Sequence, residues 1–290
     1  MLVLLQQSPL VLYSSVLIFS LLIGSFLNVV IYRLPKMLMQ GWYHECREFL
    51  ADELTTVPAK THPPLTLSTP NSQCPHCGHN IRFYENIPII SWLLLRGKCS
   101  QCQQHISTRY PLIEFTTALL AIIVAQHYGA TSAMCFALLL TYALVCLTMI
   151  DIDHMLLPDQ ITLPLLWLGL LLNINHLFVP LTDAVIGAAV GYISLFSIFW
   201  LFKLLTGKDG MGQGDFKLFA LFGAWLGWQL LPVLILMASV VGAIVGICLI
   251  AFGSHDKRQP IPFGPYLAVA GWITLLWGNN IWTWYLSLIS

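Results

Sequence analysis

The charges of this chain are gathered into a few segments, and the runs between them are long, apolar and uncharged. Charge-free runs cover residues 1–32, 115–150, 160–182, 184–202, 218–254 and 259–290. A helix needs about 20 residues to cross the roughly 30 Å hydrocarbon core of a bilayer. As one helix, residues 115–150 would be about 54 Å long at 1.5 Å per residue. That run is expected to fold as a hairpin, turning at His127-Tyr128-Gly129-Ala130-Thr131-Ser132. Residues 218–254 predict a second hairpin, turning near Gly227-Trp228-Gln229 and Pro232. Residues 160–182 and 184–202 read as single spans joined near 180–183, and 1–32 and 259–290 supply one each. The N-terminal run lacks a basic n-region, and its apolar part, 10–32, is too long for a signal-peptide core. It reads as the first membrane helix. The expectation is an all-α polytopic membrane protein with about eight transmembrane helices and lipid as its surroundings. Composition agrees: 9% of residues are charged and 57% hydrophobic, where a soluble domain carries about 25% charge. The formal net charge is zero, so no global field recruits nucleic acid and none is expected as a partner.

The positions of lysine and arginine orient the spans. With eight helices, all 13 basic residues fall in or beside the loops after the first, third, fifth and seventh, and the only acid on the other side is Asp183. The positive-inside rule then places both termini outside and the charged loops in the cytoplasm. One loop, 36–110, is far larger than the rest. It opens with Trp42-Tyr43-His44-Glu45-Cys46-Arg47-Glu48-Phe49-Leu50, whose apolar positions have helical spacing. That run is expected to be a short helix on the membrane or on the insert. Residues 55–73, rich in Thr, Pro and Ser, read as irregular linker.

Within the insert stand Cys74-Pro75-His76-Cys77 and Cys99-Ser100-Gln101-Cys102, a C-x2-C-x21-C-x2-C pattern. Two such knuckles supply four thiolates to one tetrahedral zinc, and a site filled by four protein ligands is structural. A reducing cytoplasm disfavours disulfides as the alternative. His76, His79 and His105 read as neighbours of the cluster rather than ligands. Cys135, Cys146 and Cys248 read as packing residues in apolar spans.

The second concentration of chemistry is acidic. Asp151-Ile152-Asp153-His154-Met155-Leu156-Leu157-Pro158-Asp159 ends the third span, and Gly212-Gln213-Gly214-Asp215 opens the sixth. Both lie at cytoplasmic helix ends, so the two segments can meet. Ionisable groups at the edge of a membrane core are costly and are functional by default. Asp153, Asp159 and Asp209 read as solvated loop acids. Asp215 does not, because an apolar helix follows at once. Residues 151 and 153 point to nearly opposite helix faces. Two carboxylates held together share a proton, one serving as general base and the other as general acid. Such a pair activates water against an amide. Intramembrane acids also suit a proton- or cation-coupled transporter, but these sit at the membrane edge and no inverted repeat is visible.

Several motifs together resemble a known family. They are Gly24-Ser25-Phe26-Leu27-Asn28-Val29-Val30 with Arg33-Leu34-Pro35, the double CxxC, Glu85-Asn86-Ile87-Pro88, Arg109-Tyr110-Pro111-Leu112-Ile113-Glu114, the Asp151 segment, Gly212-Gln213-Gly214-Asp215, and Ile261-Pro262-Phe263-Gly264-Pro265-Tyr266. Along nearly its whole length the chain resembles the bacterial type IV prepilin leader peptidase/N-methyltransferases. The resemblance implies cleavage of the basic leader of prepilins and type II secretion pseudopilins after a glycine. It also implies methylation of the new N-terminal amine with S-adenosylmethionine as donor. It selects Asp151 and Asp215 as the catalytic aspartates, a choice that spacing cannot make among Asp151, Asp153 and Asp159. It points to Gly97 and Lys98 for the methyl donor. Glu85 and Glu114 are expected either to orient the substrate amine or to offset the sulfonium charge. The implied division is a first transmembrane helix over 1–35, a zinc-binding, methyltransferase-associated insert over 36–110, and a seven-helix peptidase domain over 111–290 of an inner-membrane protein. A peptidase lacking methyl transfer, with a purely structural insert, is the variant reading.

Overall fold

The computed structural model describes residues 8–50, 65–251 and 261–289. Residues 55–64 of the expected linker, and Lys60, Lys257 and Arg258 of the charge argument, lie outside them. The described residues are helical, with two isolated β-bridges, Gln73 to Asn80 and Lys98 to His105. The chain forms two compact units, Met1–Ile123 and Val124–Ser290.

The first unit holds α1 (Pro9–Phe49), a 3-10 turn (Phe83–Asn86), α2 (Ile90–Leu94) and most of α3 (Arg109–Tyr128). At 41 residues, α1 is about 62 Å long, twice the hydrocarbon thickness. The expected span and the amphipathic run 42–50 are one continuous helix rather than two elements. Pro35 removes a single backbone donor, and the helix-favouring Lys36-Met37-Leu38-Met39-Gln40 carries the helix on past it. Just before the proline, buried Arg33 donates to the carbonyls of Thr66 (3.0 Å), Leu67 (3.3 Å) and Pro70 (2.7 Å). A charge in a buried position is thus hydrogen-bonded to three carbonyls, and it ties the start of the insert to α1. Higher up, α1 and α3 meet backbone to backbone: a methyl group on Gly24 would stand 2.8 Å from the Cα of Glu114.

The second unit holds α4 (Ser132–His154), α5 (Asp159–Asn173), α6 (Leu181–Thr206), α7 (Gln213–Leu226), α8 (Leu231–Ala251) and α9 (Gly264–Ile289). Both hairpin turns fall where the sequence predicts. Thr131 caps α4 by accepting the Met134 N–H at 3.2 Å. The joint between α5 and α6 starts earlier than expected, at Ile174 instead of near 180. Asn173 is fully buried, and its side chain donates to the Ala224 carbonyl (2.9 Å) and accepts the N–H groups of Phe178 and Val179 (3.0 and 3.1 Å). One buried amide thereby satisfies two backbone donors of the turn and ties it to α7.

Helix α7 is the core of this unit. From Asp215 to Leu226 nearly every side chain is buried, against α5, α6, α8 and α9. Its closest neighbour is α6, where Gly187 faces Gly223 so tightly that a Cβ on either would strike the other's backbone. Gly187-Ala188-Ala189-Val190-Gly191 is a small-xxx-small stripe that lets membrane helices approach at backbone distance. On the other side the Trp225 indole donates to the Leu165 carbonyl at 2.8 Å, its ring filling the space left by Gly169.

Among the described residues, eight helices of 14 residues or more coincide with the eight expected segments. Five of them, α1, α3, α4, α6 and α8, are long and apolar enough to cross a membrane. Helices α5 and α7 have 15 and 14 residues, about 22 Å at most, so a count of eight spans goes beyond what length and composition establish.

Candidate active site and metal centre

Asp151 lies one turn before the end of α4, whose last turn is closed by the Met155 N–H on the Asp151 carbonyl at 2.9 Å. Asp215 occupies the first turn of α7 and reaches back to accept the Gly212 N–H on Oδ2 at 3.2 Å. An acidic residue at this position commonly binds the free donors at a helix start. The two side chains come from different helices, are 5% and 6% exposed, and are close enough for the Asp151 charge to act directly on Asp215. Asp215 Oδ1 is buried without a hydrogen-bond partner, the one such side-chain oxygen or nitrogen among the described residues. Unsatisfied buried acceptors are rare and costly, so this oxygen marks a place where a proton or a water belongs.

The other acids are placed differently. Asp153 is exposed. Asp159 takes both its bonds from Lys217, at 2.7 Å each, joining α5 to α7 at the surface. Asp209 pairs with Lys203 at 2.9 Å.

Gly264, in the Pro-Phe-Gly-Pro segment that starts α9, is a site residue without an assigned role in the sequence reading. Its backbone N–H lies toward the Asp151 carboxylate, and a Cβ there would stand 2.5 Å from Asp151 Oδ2. Leu157 fills the space between this glycine and Gly214 of the Gly212–Asp215 segment. The signal was a glycine between two prolines in an otherwise apolar stretch, but nothing local says which side chain it must admit.

In the first unit, the four sulfurs of Cys74, Cys77, Cys99 and Cys102 all lie within 4.8 Å of one another, with Cys74 and Cys102 at 3.8 Å and Cys77 and Cys99 at 4.0 Å. A tetrahedron of sulfurs 2.3 Å from a zinc ion has edges of about 3.8 Å, so the cluster fits the metal. The two knuckles are built alike. In each, the residue after the second cysteine, Gly78 or Gln103, is left-handed and returns its N–H to the carbonyl of the first cysteine, at 2.9 and 3.1 Å. Backbone N–H groups of Cys77 and His76 draw the Cys74 thiol down to about 6, and those of Cys102 and Gln101 lower Cys99. For Cys77 the His79 N–H pulls the same way, but burial and the crowded sulfurs of Cys102, Cys74 and Cys99 outweigh it and push the thiol up to about 12. Four thiolates this close repel one another, and a divalent cation at their centre removes that conflict.

Gly97 is left-handed (φ 66°), and a Cβ there would collide with the Trp92 ring at 2.8 Å. The glycine thus joins α2 to the second knuckle for a packing reason. Lys98 is half-buried and bridges to His105 through the backbone. Glu114 is buried and accepts the N–H of Ile89 at 2.7 Å. Ile89 has φ 60°, a strained conformation for a β-branched residue.

The family model described as the bacterial peptidase A24 N-terminal domain matches residues 18–128, and the type IV leader peptidase family model matches residues 138–247. A protein of Aeromonas hydrophila named prepilin leader peptidase/N-methyltransferase is 57% identical over 279 residues, covering 96% of this chain and 95% of its own length. Relatives of the same name from Pseudomonas aeruginosa and Legionella pneumophila are 53% and 44% identical, each covering at least 96% of both chains. The chain belongs to the type IV leader peptidase family. No solved structure matches it. Within this leader peptidase family member, both buried aspartates fall in the segment matched by the family model, and all four clustered cysteines fall in the N-terminal domain match.

Proposed function

We propose that Asp151 and Asp215 are the catalytic pair of a bifunctional membrane enzyme. It removes the leader of type IV prepilins and type II secretion pseudopilins at the cytoplasmic face of the inner membrane and methylates the new N-terminus. The observation that carries this reading is the buried pair itself: two carboxylates from separate helices, one with an oxygen that no protein group satisfies. Like charges held this close do not both ionise easily, so one proton is shared between them. The deprotonated member takes a proton from water as it attacks the scissile carbonyl, and the other gives its proton to the departing amine. The Gly264 backbone flanks Asp151, and the Gly212 N–H holds Asp215.

The functional division runs 1–35, 36–110 and 111–290: anchoring helix, methyl-transfer insert and peptidase domain. Cys74, Cys77, Cys99 and Cys102 hold a structural zinc in the insert. When bound, S-adenosylmethionine supplies an activated methyl group. Gly97 sets the turn that presents the second knuckle, and Lys98 continues that turn beside the donor site. Eight spans place both termini in the periplasm and the insert in the cytoplasm.

The test is incubation of the full-length protein with a leader-bearing prepilin, with and without methyl-labelled S-adenosylmethionine. Released leader together with label on the new N-terminus is expected. Leader without label would leave a peptidase alone, and neither product would overturn the reading.

A further inference from the structure

Beside the second cysteine knuckle lies a cavity of about 620 Å³, within the roughly 300–1,000 Å³ that small-molecule sites occupy. Gly97 and Lys98 do not line it. Its wall is built by the 3-10 turn Phe83–Asn86, by α2 with its following residue, and by the tip of the knuckle at Ser100 and Gln101.

Three kinds of chemistry meet in this wall. The first is a fixed negative charge. The Glu85 side chain is 11% exposed, and its Oε2 accepts the Arg82 N–H at 2.9 Å and lies 3.4 Å from His79 Nε2. The Ser100 hydroxyl stands beside this carboxylate and favours its charged form. Held by Arg82 and His79 on the cavity wall, the carboxylate presents its charge to the cavity. The second is a π-face. Tyr84 is 45% exposed, with the Arg82 guanidinium 5.9 Å from its ring centre. The third is an apolar bed. Leu94 is 79% exposed on the same wall, beside Leu95.

Few ligands use all three. A sulfonium carries a permanent positive charge that a carboxylate stabilises and an aromatic face attracts. A purine packs on exposed leucines, and an amino-acid carboxylate suits a guanidinium. The geometry points to this cavity as the site of a sulfonium-bearing adenosyl cofactor, S-adenosylmethionine, with Glu85 facing the sulfonium and Leu94 under the purine. The inference rests on the methyl-transfer reading above and gives it a place. Gly97 then acts at one remove, by seating Trp92 and the second knuckle that carries Ser100 and Gln101 to the wall. The cysteine cluster acts the same way, by fixing that knuckle.

The test measures equilibrium binding of S-adenosylmethionine and of S-adenosylhomocysteine, its neutral thioether counterpart, to the full-length protein. Methylation of a pre-cleaved prepilin and zinc per chain are recorded on the same samples. Glu85→Gln should weaken S-adenosylmethionine about tenfold and the thioether much less, because only the former carries the charge that Glu85 faces. Leu94→Trp, which fills the cavity from an exposed position at no cost to the core, should weaken both by at least about tenfold. Zinc content should match the wild type in both variants. Should Glu85→Gln lose zinc, Leu94→Trp alone decides. A wild-type protein that methylates, with both variants binding both compounds as it does, would overturn the pocket and leave the methyl-transfer reading standing. A wild-type protein that transfers no label would overturn that reading, and this inference with it.

Discussion

Asp151 owes its setting to a residue that carries no side chain. The Gly264 backbone lies against its carboxylate, and the missing Cβ leaves the room that carboxylate occupies. Gly264→Ala should therefore push Asp151 off its position while altering little else. A misplacement of about 1 Å costs on the order of 10²-fold in rate, so kcat for leader cleavage should fall at least tenfold with the melting temperature nearly unchanged. Asp151→Asn and Asp215→Asn should each lower cleavage by at least about 10²-fold, read as released leader by mass spectrometry, and both should still methylate a pre-cleaved substrate. Full cleavage by either variant would dispose of the pair. Of the three acids in the Asp151 segment, local spacing could not say which one matters. The fold separates them: Asp151 is enclosed, Asp153 faces out and Asp159 is held by Lys217. Asp215 was easier to single out, because the apolar helix that buries it follows it directly in the chain.

Among the elements, α6 and α7 are held together by the absence of side chains. Gly187 and Gly223 leave no space for a methyl group between the two backbones. Gly187→Leu should force the helices apart, destabilising the protein by about 2–3 kcal/mol or more. A lower thermal midpoint in detergent checks it, with cleavage lost as α7 and its Asp215 shift. The stripe Gly187-Ala188-Ala189-Val190-Gly191 was there to be read, but glycine spacing alone does not name the partner helix. The metal module is held together by covalent geometry instead. Cys74→Ser and Cys102→Ser should each abolish zinc binding, measured as metal per chain, and lose methylation before cleavage. Unchanged metal content would remove zinc from the account. The knuckles themselves were legible because both halves of each ligand pair sit within one short loop. The continuity of α1 through Pro35 was not, since a proline is read locally as a break and what overrides it is the good helix-forming sequence that follows it.

For the whole molecule, the disposition of charge makes a prediction that no single helix does. A membrane-impermeant thiol reagent added to intact spheroplasts should label a cysteine placed at Ser132, the first residue of α4, above the background of the native cysteines. One placed at Ser68, in the insert, should be labelled only after lysis. The reverse pattern would invert the orientation proposed above. The places of the eight longer helices, the two hairpin turns and the four-cysteine cluster could be read from the chain because each depends on neighbours in sequence. Hydrophobic transfer sums over adjacent residues, and a tight turn or a metal knuckle is complete within a few positions. The buried aspartate pair, the Gly264 contact, the Asn173 turn and the cavity beside the second knuckle depend on residues brought from distant parts of the chain. Burial and hydrogen bonding are properties of what surrounds a group, and that became known only when the helices were packed.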